Sequence, residues 1–285
     1  MFKTNVHRAI GYIDDNCIES LYFRYTDKNY DARDMYDNEA TLLSASLRKN
    51  TSLTSLNFGN NLVSDNGATS ISEALLKNTS LTYLELAYNR ISYSGATLIS
   101  NSLIKNTSLT ELDIGGNTIS DNGATSISNS LAKNTSLKRL DLHHNKISDD
   151  GATSISNALI QNTSLTHLAL QANKISHSGA TSLLNSLTKN TSLVKINLGS
   201  SDISPSEAPS ISNLLIINTS LTDLGLGHNK LSDNGATLMS SALTTNTSLT
   251  HLNLAYNKIS DNGVIAISNA LMKNTSLRYL DLARS

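Results

Sequence analysis

Asn50 to Lys77, with the sequence NTSLTSLNFGNNLVSDNGATSISEALLK, is the unit from which most of the chain is built. The next unit, Asn78 to Lys105, reads NTSLTYLELAYNRISYSGATLISNSLIK, and further copies follow without insertion or deletion. A fixed period of 28 residues predicts a solenoid of stacked units. The leucine that opens the unit occupies Leu53, Leu81, Leu109, Leu137, Leu165, Leu193, Leu221, Leu249 and Leu277.

Each unit combines a strand pattern with a helix pattern. Leu56 and Phe58 alternate with polar residues, which predicts a strand with one buried side. Ala68, Ile71 and Leu75 then follow the i, i+3, i+7 spacing of an amphipathic helix. One unit cannot bury both apolar faces alone, so neighbouring units must share a core.

Three polar positions mark the turns of the unit. Asn61 follows the strand, where its side chain can satisfy backbone groups. Ser64 precedes the helix and is a good N-cap. Asn78 follows the last apolar residue of the helix, where we expect a left-handed residue to end it.

The spacing of strands and helices predicts the shape of the array. Parallel strands lie about 4.8 Å apart, whereas packed helices need about 8 to 10 Å. The fold class is therefore predicted to be an α/β solenoid in the form of a right-handed horseshoe. Its parallel strands would line the concave face and its helices the convex face.

The pattern LxxLxLxxN, then SxxGA and a helix, resembles the ribonuclease-inhibitor class of leucine-rich-repeat proteins from Glu39 to the C-terminus; NTSLTYLELAYNRIS shows it clearly. This resemblance implies a non-catalytic scaffold that binds a folded protein on its concave face, for example to block an active site. The Asn-, Ser- and Thr-rich units are also similar to leucine-rich-repeat effectors of intracellular bacteria such as Legionella. That likeness implies a host protein or another bacterial effector as partner.

Composition narrows the possible partners and cellular location of the protein. The formal net charge of −1 favours neither nucleic acid nor an acidic membrane surface. Cys17 is the only cysteine, which rules out an intrachain disulfide and favours a reducing compartment. No apolar run resembles a classical signal peptide or a membrane span, so we expect a cytoplasmic protein, bacterial or in a host cytosol. Nine Asn-Thr-Ser sequons recur at one point of the unit, which indicates a structural cause instead of glycosylation.

The ends of the chain depart from the repeat. Residues 1–38 are predicted to form an N-terminal cap with a degenerate first repeat, and residues 39–285 the leucine-rich-repeat domain. The cap would hold a short helix around Val6 to Asp14 and a strand containing Tyr25, Lys28 and Tyr30, with an aromatic binding surface as the alternative. The last strand lacks a covering helix, which predicts either another copy as its cap or a cut chain.

The unit from Asn190 to Ile217 is irregular. It contains both prolines of the chain, Pro205 and Pro209, and Glu207 replaces the usual glycine. Two helix starts are open: a capping box that begins at Ser204 with proline at N1, or an N-cap at Ser206. Either the scaffold tolerates this irregularity as sequence drift, or the irregularity reshapes a convex patch that binds a partner.

The variable positions of the strands form the candidate site. Glu85, Asp113 and Asp141 should lie on adjacent strands, where they would accept hydrogen bonds from lysines or arginines of a partner. Tyrosines of the kind enriched at interfaces flank them. The predicted protein-binding residues are Tyr83, Glu85, Tyr88, Glu111, Asp113, Arg139, Asp141, His143, His144 and His167.

Catalysis and cofactor binding are not predicted. Five of the seven histidines fall on the strand positions, and His144 and His167 would approach each other near Asp141. A convergent metal site is not expected from this spacing, and neither a nucleophile elbow nor a phosphate loop is present. The alternative to a binding scaffold is a sensor or self-assembling module that uses the open C-terminal strand.

Overall fold

The computed structural model of the protein describes residues 10–23 and 33–284, in two compact units, Met1–Asn145 and Lys146–Ser285. In the first unit, five parallel strands pair in chain order: β1 Ser20–Tyr22, β2 Ser55–Asn57, β3 Tyr83–Glu85, β4 Glu111–Asp113 and β5 Arg139–Asp141. The second unit repeats this arrangement with β6 His167–Ala169, β7 Lys195–Asn197, β8 Asp223–Gly225, β9 His251–Asn253 and β10 Tyr279–Asp281.

A helix follows each strand except β10 in the described chain. The helices of the first unit are α1 Arg33–Leu47, α2 Asp65–Leu75, α3 Tyr93–Leu103 and α4 Ser120–Leu131. Those of the second unit are α5 Asp149–Gln161, α6 His177–Leu187, α7 Ala208–Ile217, α8 Asp233–Leu243 and α9 Asp261–Leu271. No helix in the described ranges is long and apolar enough to cross a membrane.

The core lies between the strands and the helices, as the repeat pattern predicts. Leu56 and Phe58 of the strand segment and Ala68 of the helix are fully buried, and Ile71 and Leu75 are 2% exposed. In α1 the same stripe consists of Ala40, Leu43 and Leu47, all buried. Each apolar face is therefore covered by its neighbours.

Buried asparagines after the helices join each repeat to the preceding one. The Nδ2 atom of Asn106 donates to the carbonyl oxygens of Leu75, at 2.8 Å, and Asn78, at 3.1 Å. Its Oδ1 atom accepts from the backbone N–H of Ser108 and Leu109. Asn78, Asn190 and Asn274 make the same inter-repeat bonds. Because this Nδ2 atom is also the glycan acceptor of a sequon, the recurring triplet has the structural cause that the sequence indicates.

The predicted left-handed end of the helix at Asn78 and its equivalents is wrong. Asn162 and Asn218 at this position are extended, with φ of −75° and −79°. The left-handed residue instead precedes the turn asparagine, where the chain leaves the strand. It occupies Asn60, Tyr88, Gly116, His144, Ala172, Ser200, His228 and Tyr256.

The turn asparagines after the strands behave as predicted. Asn89 donates from Nδ2 to the carbonyl oxygens of Leu86, at 3.0 Å, and of Phe58 in the preceding repeat, at 2.9 Å. Its Oδ1 atom accepts from the backbone N–H of Val63. A second row of amide side chains thus supports the strand side of the array.

Carboxylates cap the helices across repeats, which the sequence reasoning missed. Oδ1 of Asp65 accepts from the backbone N–H of Ser92, at 2.8 Å, and of Gly95, at 3.0 Å, while Oδ2 accepts from the Ser92 hydroxyl. The same contact joins Asp37 to Ser64, Asp149 to Ser176 and Asp233 to Ser260. A Cβ atom at Gly95 would lie 2.6 Å from Oδ1 of Asp65, so this glycine makes room for the carboxylate.

The predicted serine N-caps are confirmed except at Ser120, which has a left-handed conformation and lies inside α4, where Ile119 is the N-cap residue. Ser64 and Ser92 accept from the backbone N–H two residues later, as an N-cap should. Ser176 makes no such bond, and its hydroxyl donates to Asp149. Burial raises the pKa of Asp149, but hydrogen bonds from Ser176, Ser178 and Gly179 outweigh burial, so the pKa lies below its usual value.

In the irregular repeat, the carboxylate that caps the helix comes from a different sequence position. Ser204 begins a capping box with Glu207, and the segment Pro205–Glu207 forms a 3-10 turn before α7. This confirms the first of the two predicted helix starts. The Glu207 side chain is fully buried and accepts from the Ser204 N–H at 2.6 Å. It also bonds His177, which stands where other repeats carry aspartate.

The strand that pairs with β2 at the N-terminal side lies at residues other than those predicted. Residues 10–14 are helical, in agreement with the end of the predicted Val6 to Asp14 helix, and Ile13 is fully buried. The strand beside β2 is β1, in which Leu21 takes the place predicted for Lys28. The predicted strand residues Tyr25, Lys28 and Tyr30 lie outside the described residues. The predicted division at residues 38 and 39 falls inside α1.

Replacing Asn106 with alanine is expected to lower the free energy of unfolding by about 2–4 kcal/mol, because buried carbonyl and N–H groups lose their partners. Urea denaturation measures the change. Asn101→Ala, on the exposed side of α3, is the matched control and should leave stability equal or slightly higher, since alanine is the better helix former. Equal losses in both variants would contradict the structural role of the ladder.

Asp65→Ala should lower the free energy of unfolding by about 1–2 kcal/mol, because the N-terminus of α3 loses its acceptor. Asp261→Ala removes a carboxylate from the same first-turn position of α9, where the described residues include no following helix. The control should lose only the helix-dipole contribution, about 0.5 kcal/mol. Similar losses from the two variants would show that the inter-repeat bonds contribute nothing.

Candidate functional site on the strand face of the first unit

The strand register brings the predicted carboxylates into one row. Asp113 on β4 pairs with Glu85 on β3 and with Asp141 on β5. Glu111 lies beside them, in register with Tyr83 and Arg139. The sequence prediction of adjacent carboxylates is therefore confirmed within this unit.

At one end of the row, Glu85 is held by its neighbours. The Tyr83 hydroxyl donates to Oε2 of Glu85 at 2.8 Å, and Nδ2 of Asn57 donates to the same oxygen. Burial and then the hydrogen bond to Glu85 raise the pKa of Tyr83 above its ordinary value, so this phenol remains protonated at neutral pH. The sequence reasoning missed Asn57, whose signal was its place one strand before Glu85 in the same column.

At the other end, a carboxylate, an imidazole and a phenol are joined in line. Nδ1 of His143 lies 2.6 Å from Oδ1 of Asp141, and Nε2 lies 3.1 Å from the Tyr88 hydroxyl. The side chains of His143 and Asp141 are only 13% and 18% exposed. The hydrogen bond to Asp141 raises the pKa of His143, although burial opposes the change.

Two consecutive glycines make room for these rings. A Cβ atom at Gly115 would lie 2.1 Å from the His143 ring, and one at Gly116 would lie 2.4 Å from the Tyr88 ring. Gly116 also takes the left-handed conformation, with φ of +64°. The sequence reasoning did not single out this Gly-Gly pair, although no other repeat has two glycines at this point.

Negative charge is crowded at the centre of the row. Burial, followed by the charge of Asp141, raises the pKa of Asp113 to about 6, although the Gly115 N–H and His143 favour the ionised form. Asp113, Asp141, Glu111 and Tyr83 line a cavity of about 250 Å³ together with Arg139. The centre of this face therefore favours a cationic group.

The remaining two predicted residues behave differently from expectation. His143, not His144, faces Asp141, because His144 takes the left-handed conformation and its side chain is exposed. The rings of the two histidines meet edge to face with centroids 5.7 Å apart. His167 lies on β6 in the second unit, where its Nδ1 atom is 2.8 Å from the Thr166 hydroxyl.

The strand face of the second unit carries different side chains. Lys195 and Asp223 on neighbouring strands form an ion pair at 2.6 Å. His228 and Tyr256 stack with ring centroids 4.1 Å apart. The row of three carboxylates does not recur there, because the same column reads Ala169, Asn197, Gly225, Asn253 and Asp281.

Comparison with known families identifies the repeat. The family described as Leucine Rich repeat matches seven stretches, which together make up more than half of the chain: residues 49–72, 77–100, 105–128, 133–156, 161–184, 218–240 and 245–268. The chain belongs to the leucine-rich repeat family. Its fold is the α/β leucine-rich-repeat solenoid that the sequence predicts. The unmatched gap between residues 184 and 218 contains the irregular repeat with both prolines.

Two solved structures illustrate the likeness. Leiomodin-1 actin-binding site 2 is 20% identical, with a TM-score of 0.46, over 54% of this chain and 87% of its own. The leucine-rich repeat domain of APL1B is 16% identical, with a TM-score of 0.48, over 99% of this chain and 67% of its own. At these scores nothing about a partner follows from either. No curated protein matches the sequence.

Asp113→Asn should stabilise the protein at pH 7.5 and have little effect at pH 4. A carboxyl whose pKa is raised in the folded state contributes stability below its unfolded pKa, near 4, and loses it as pH rises through about 6. The gain at pH 7.5 is about 1 kcal/mol after allowance for solvent screening. Thermal unfolding at the two pH values measures it.

Asp281→Asn on β10 is the control for this prediction. It lies in the same column but pairs with Asn253 instead of a carboxylate. No pH-dependent gain is expected from it. A gain of equal size in both variants would mean that overall charge, and not the crowded row, determines the effect.

Proposed function

We propose that this leucine-rich repeat protein is a non-catalytic scaffold that binds a folded protein on the strand face of its first unit. The observation that carries the proposal is the row of Glu85, Asp113 and Asp141 on three adjacent strands. Leucine-rich repeat domains generally mediate protein–protein interaction, and an exposed strand face offers a broad surface for one.

The chemistry of this face favours a partner with a basic surface. Carboxylates held on rigid strands are pre-organised to accept hydrogen bonds from lysine or arginine, so little side-chain entropy is lost on binding. Tyr88 is 49% exposed and adds an aromatic surface beside the carboxylates. A cation placed at Asp113 would also relieve the repulsion from Asp141.

The finer role follows from the resemblance alone. By analogy with the ribonuclease-inhibitor class, the scaffold would cover the active site of its partner and act as an inhibitor. By analogy with bacterial effectors, the partner would be a host protein or another effector, met in a cytosol. Both analogies rest on the pattern of the repeat unit.

Charge reversal of Glu85, Asp113 and Asp141 to lysine should weaken binding of the partner by more than tenfold, about 1.4 kcal/mol or more. The partner is first identified by affinity capture with the wild-type chain, and its Kd is then measured by calorimetry at two salt concentrations. Because the attraction is electrostatic, the wild-type Kd should rise with salt.

The matched control reverses three exposed acidic residues on helices, Glu73, Asp150 and Asp261, and changes the net charge equally. This control should retain the partner. If the strand-face variant retains the partner as well as wild type, the strand face of the first unit is not the binding surface. The helix side and the N-terminal segment would then be tested by the same charge reversal.

A further inference from the structure

We propose that Asp113, Asp141 and His143 form a binding site for one divalent transition-metal ion, with zinc the best match. This metal site needs no protein partner. It goes beyond the acidic row because its ligands include an imidazole nitrogen held on the same surface. The sequence alone did not bring these three residues together, since it favoured His144 as the histidine near Asp141.

The donor atoms already converge. One atom from each of the three side chains lies within 4.8 Å of the other two, and all three residues are partly buried. An ion bound at about 2.0–2.2 Å from each donor brings donors to within about 4 Å of one another. Small side-chain rotations supply the remaining adjustment, since Asp113 and Asp141 lie on the paired strands β4 and β5 and His143 follows β5 directly.

Each carboxylate is oriented by a backbone N–H. Oδ1 of Asp113 accepts from Gly115 at 2.9 Å, and Oδ1 of Asp141 accepts from the His143 N–H at 3.0 Å. Among the described residues, the second oxygen of each carboxylate has no hydrogen-bond partner. One oxygen therefore fixes the group and the other is available as a ligand, as in established metal sites.

The imidazole is oriented in the same way. Nε2 of His143 lies 3.1 Å from the Tyr88 hydroxyl, and the ring lies over Gly115, where any side chain would collide with it. A metal-binding histidine commonly uses its second nitrogen in such a bond, which fixes the tautomer and directs the other nitrogen at the ion. Here that nitrogen is Nδ1, which faces Asp141.

The donor set decides the class of ion. Imidazole together with carboxylates suits zinc and its first-row neighbours, whereas magnesium and calcium prefer oxygen donors alone. Three protein ligands leave a fourth position for water or for a group from another molecule. A divalent ion would also neutralise the crowded negative charge at the centre of the row, where Arg139 is the basic residue lining the cavity.

Binding should release a proton. Protons compete with the ion for the same donor atoms, because an imidazole nitrogen or a carboxylate must be deprotonated to bind a metal. Zinc should therefore bind more weakly at pH 5.5 than at pH 7.5. Protons released on binding also change the measured heat between buffers of different ionisation enthalpy.

The experiment is a zinc titration of the tag-free full chain by calorimetry against a competing chelator. The Cys17→Ser background is used throughout, because Cys17 is an exposed thiol and thiolates are good zinc ligands. We expect one zinc per chain at pH 7.5, at least tenfold weaker binding in His143→Ala, and unchanged binding in the matched control His144→Ala. Magnesium should not compete at equal concentration.

Asp113→Asn is the second test variant, because an amide still accepts the Gly115 N–H but is a poor zinc ligand. It should also bind at least tenfold more weakly, with circular dichroism confirming that every variant is folded. The proposal is overturned if no saturable site of one zinc per chain is found. It is also overturned if His143→Ala binds as tightly as wild type, or if His144→Ala loses as much affinity. None of these outcomes bears on the protein-binding proposal, since no partner is present.

Discussion

The rest of the structure depends on the hydrogen bonds made by the buried asparagine after each helix. A stacked array must satisfy the backbone groups at every helix end without access to water, and an unsatisfied buried carbonyl costs about 1–3 kcal/mol. The side chain of Asn106 solves this by joining two carbonyls of the preceding repeat to two N–H groups of its own. Because the bonds reach back by a fixed number of residues, an inserted residue would misplace them. The strict period of the sequence is the consequence.

This rigid frame leaves the strand face free to vary. The leucines of β3, β4 and β5 are buried. The residues on either side of each leucine are half-buried or exposed, so packing of the core constrains them less. In the first unit those positions and the residues just after the strands hold a row of carboxylates, two tyrosines and a histidine, and in the second unit an ion pair and stacked rings. The frame is nearly identical between repeats, so the differences in chemistry arise from a few side chains on each strand.

The regular part of the fold was predictable because local sequence patterns determine it. The strand and helix of the Asn50 unit follow from Leu56, Phe58 and the stripe that begins at Ala68. Longer-range features were not predictable in this way. Asp65 reads as an ordinary first-turn acid, and only the stacked structure shows that it caps the next helix. His143 and His144 are equivalent in the sequence, and the left-handed backbone at His144 decides which of them meets Asp141. In the cap, Leu21 takes a place that the 28-residue shift assigned to Lys28, because the period does not extend to that strand.

Several helix starts are capped by a carboxylate of the preceding repeat, and this series of contacts changes on both sides of the irregular repeat. His177 replaces the aspartate that would cap the turn at Ser204, and Glu207 supplies a carboxylate from the same turn. Pro205 occupies the position from which an aspartate would cap the start of α8, and proline has no carboxylate. Towards α6 the contact between His177 and Glu207 joins the repeats. Towards α8 the irregular repeat is held by packing and by the asparagines, without the link that ties Asp65 to Ser92. If the second unit is pulled along its axis, the boundary between α7 and α8 is where the repeats would first separate.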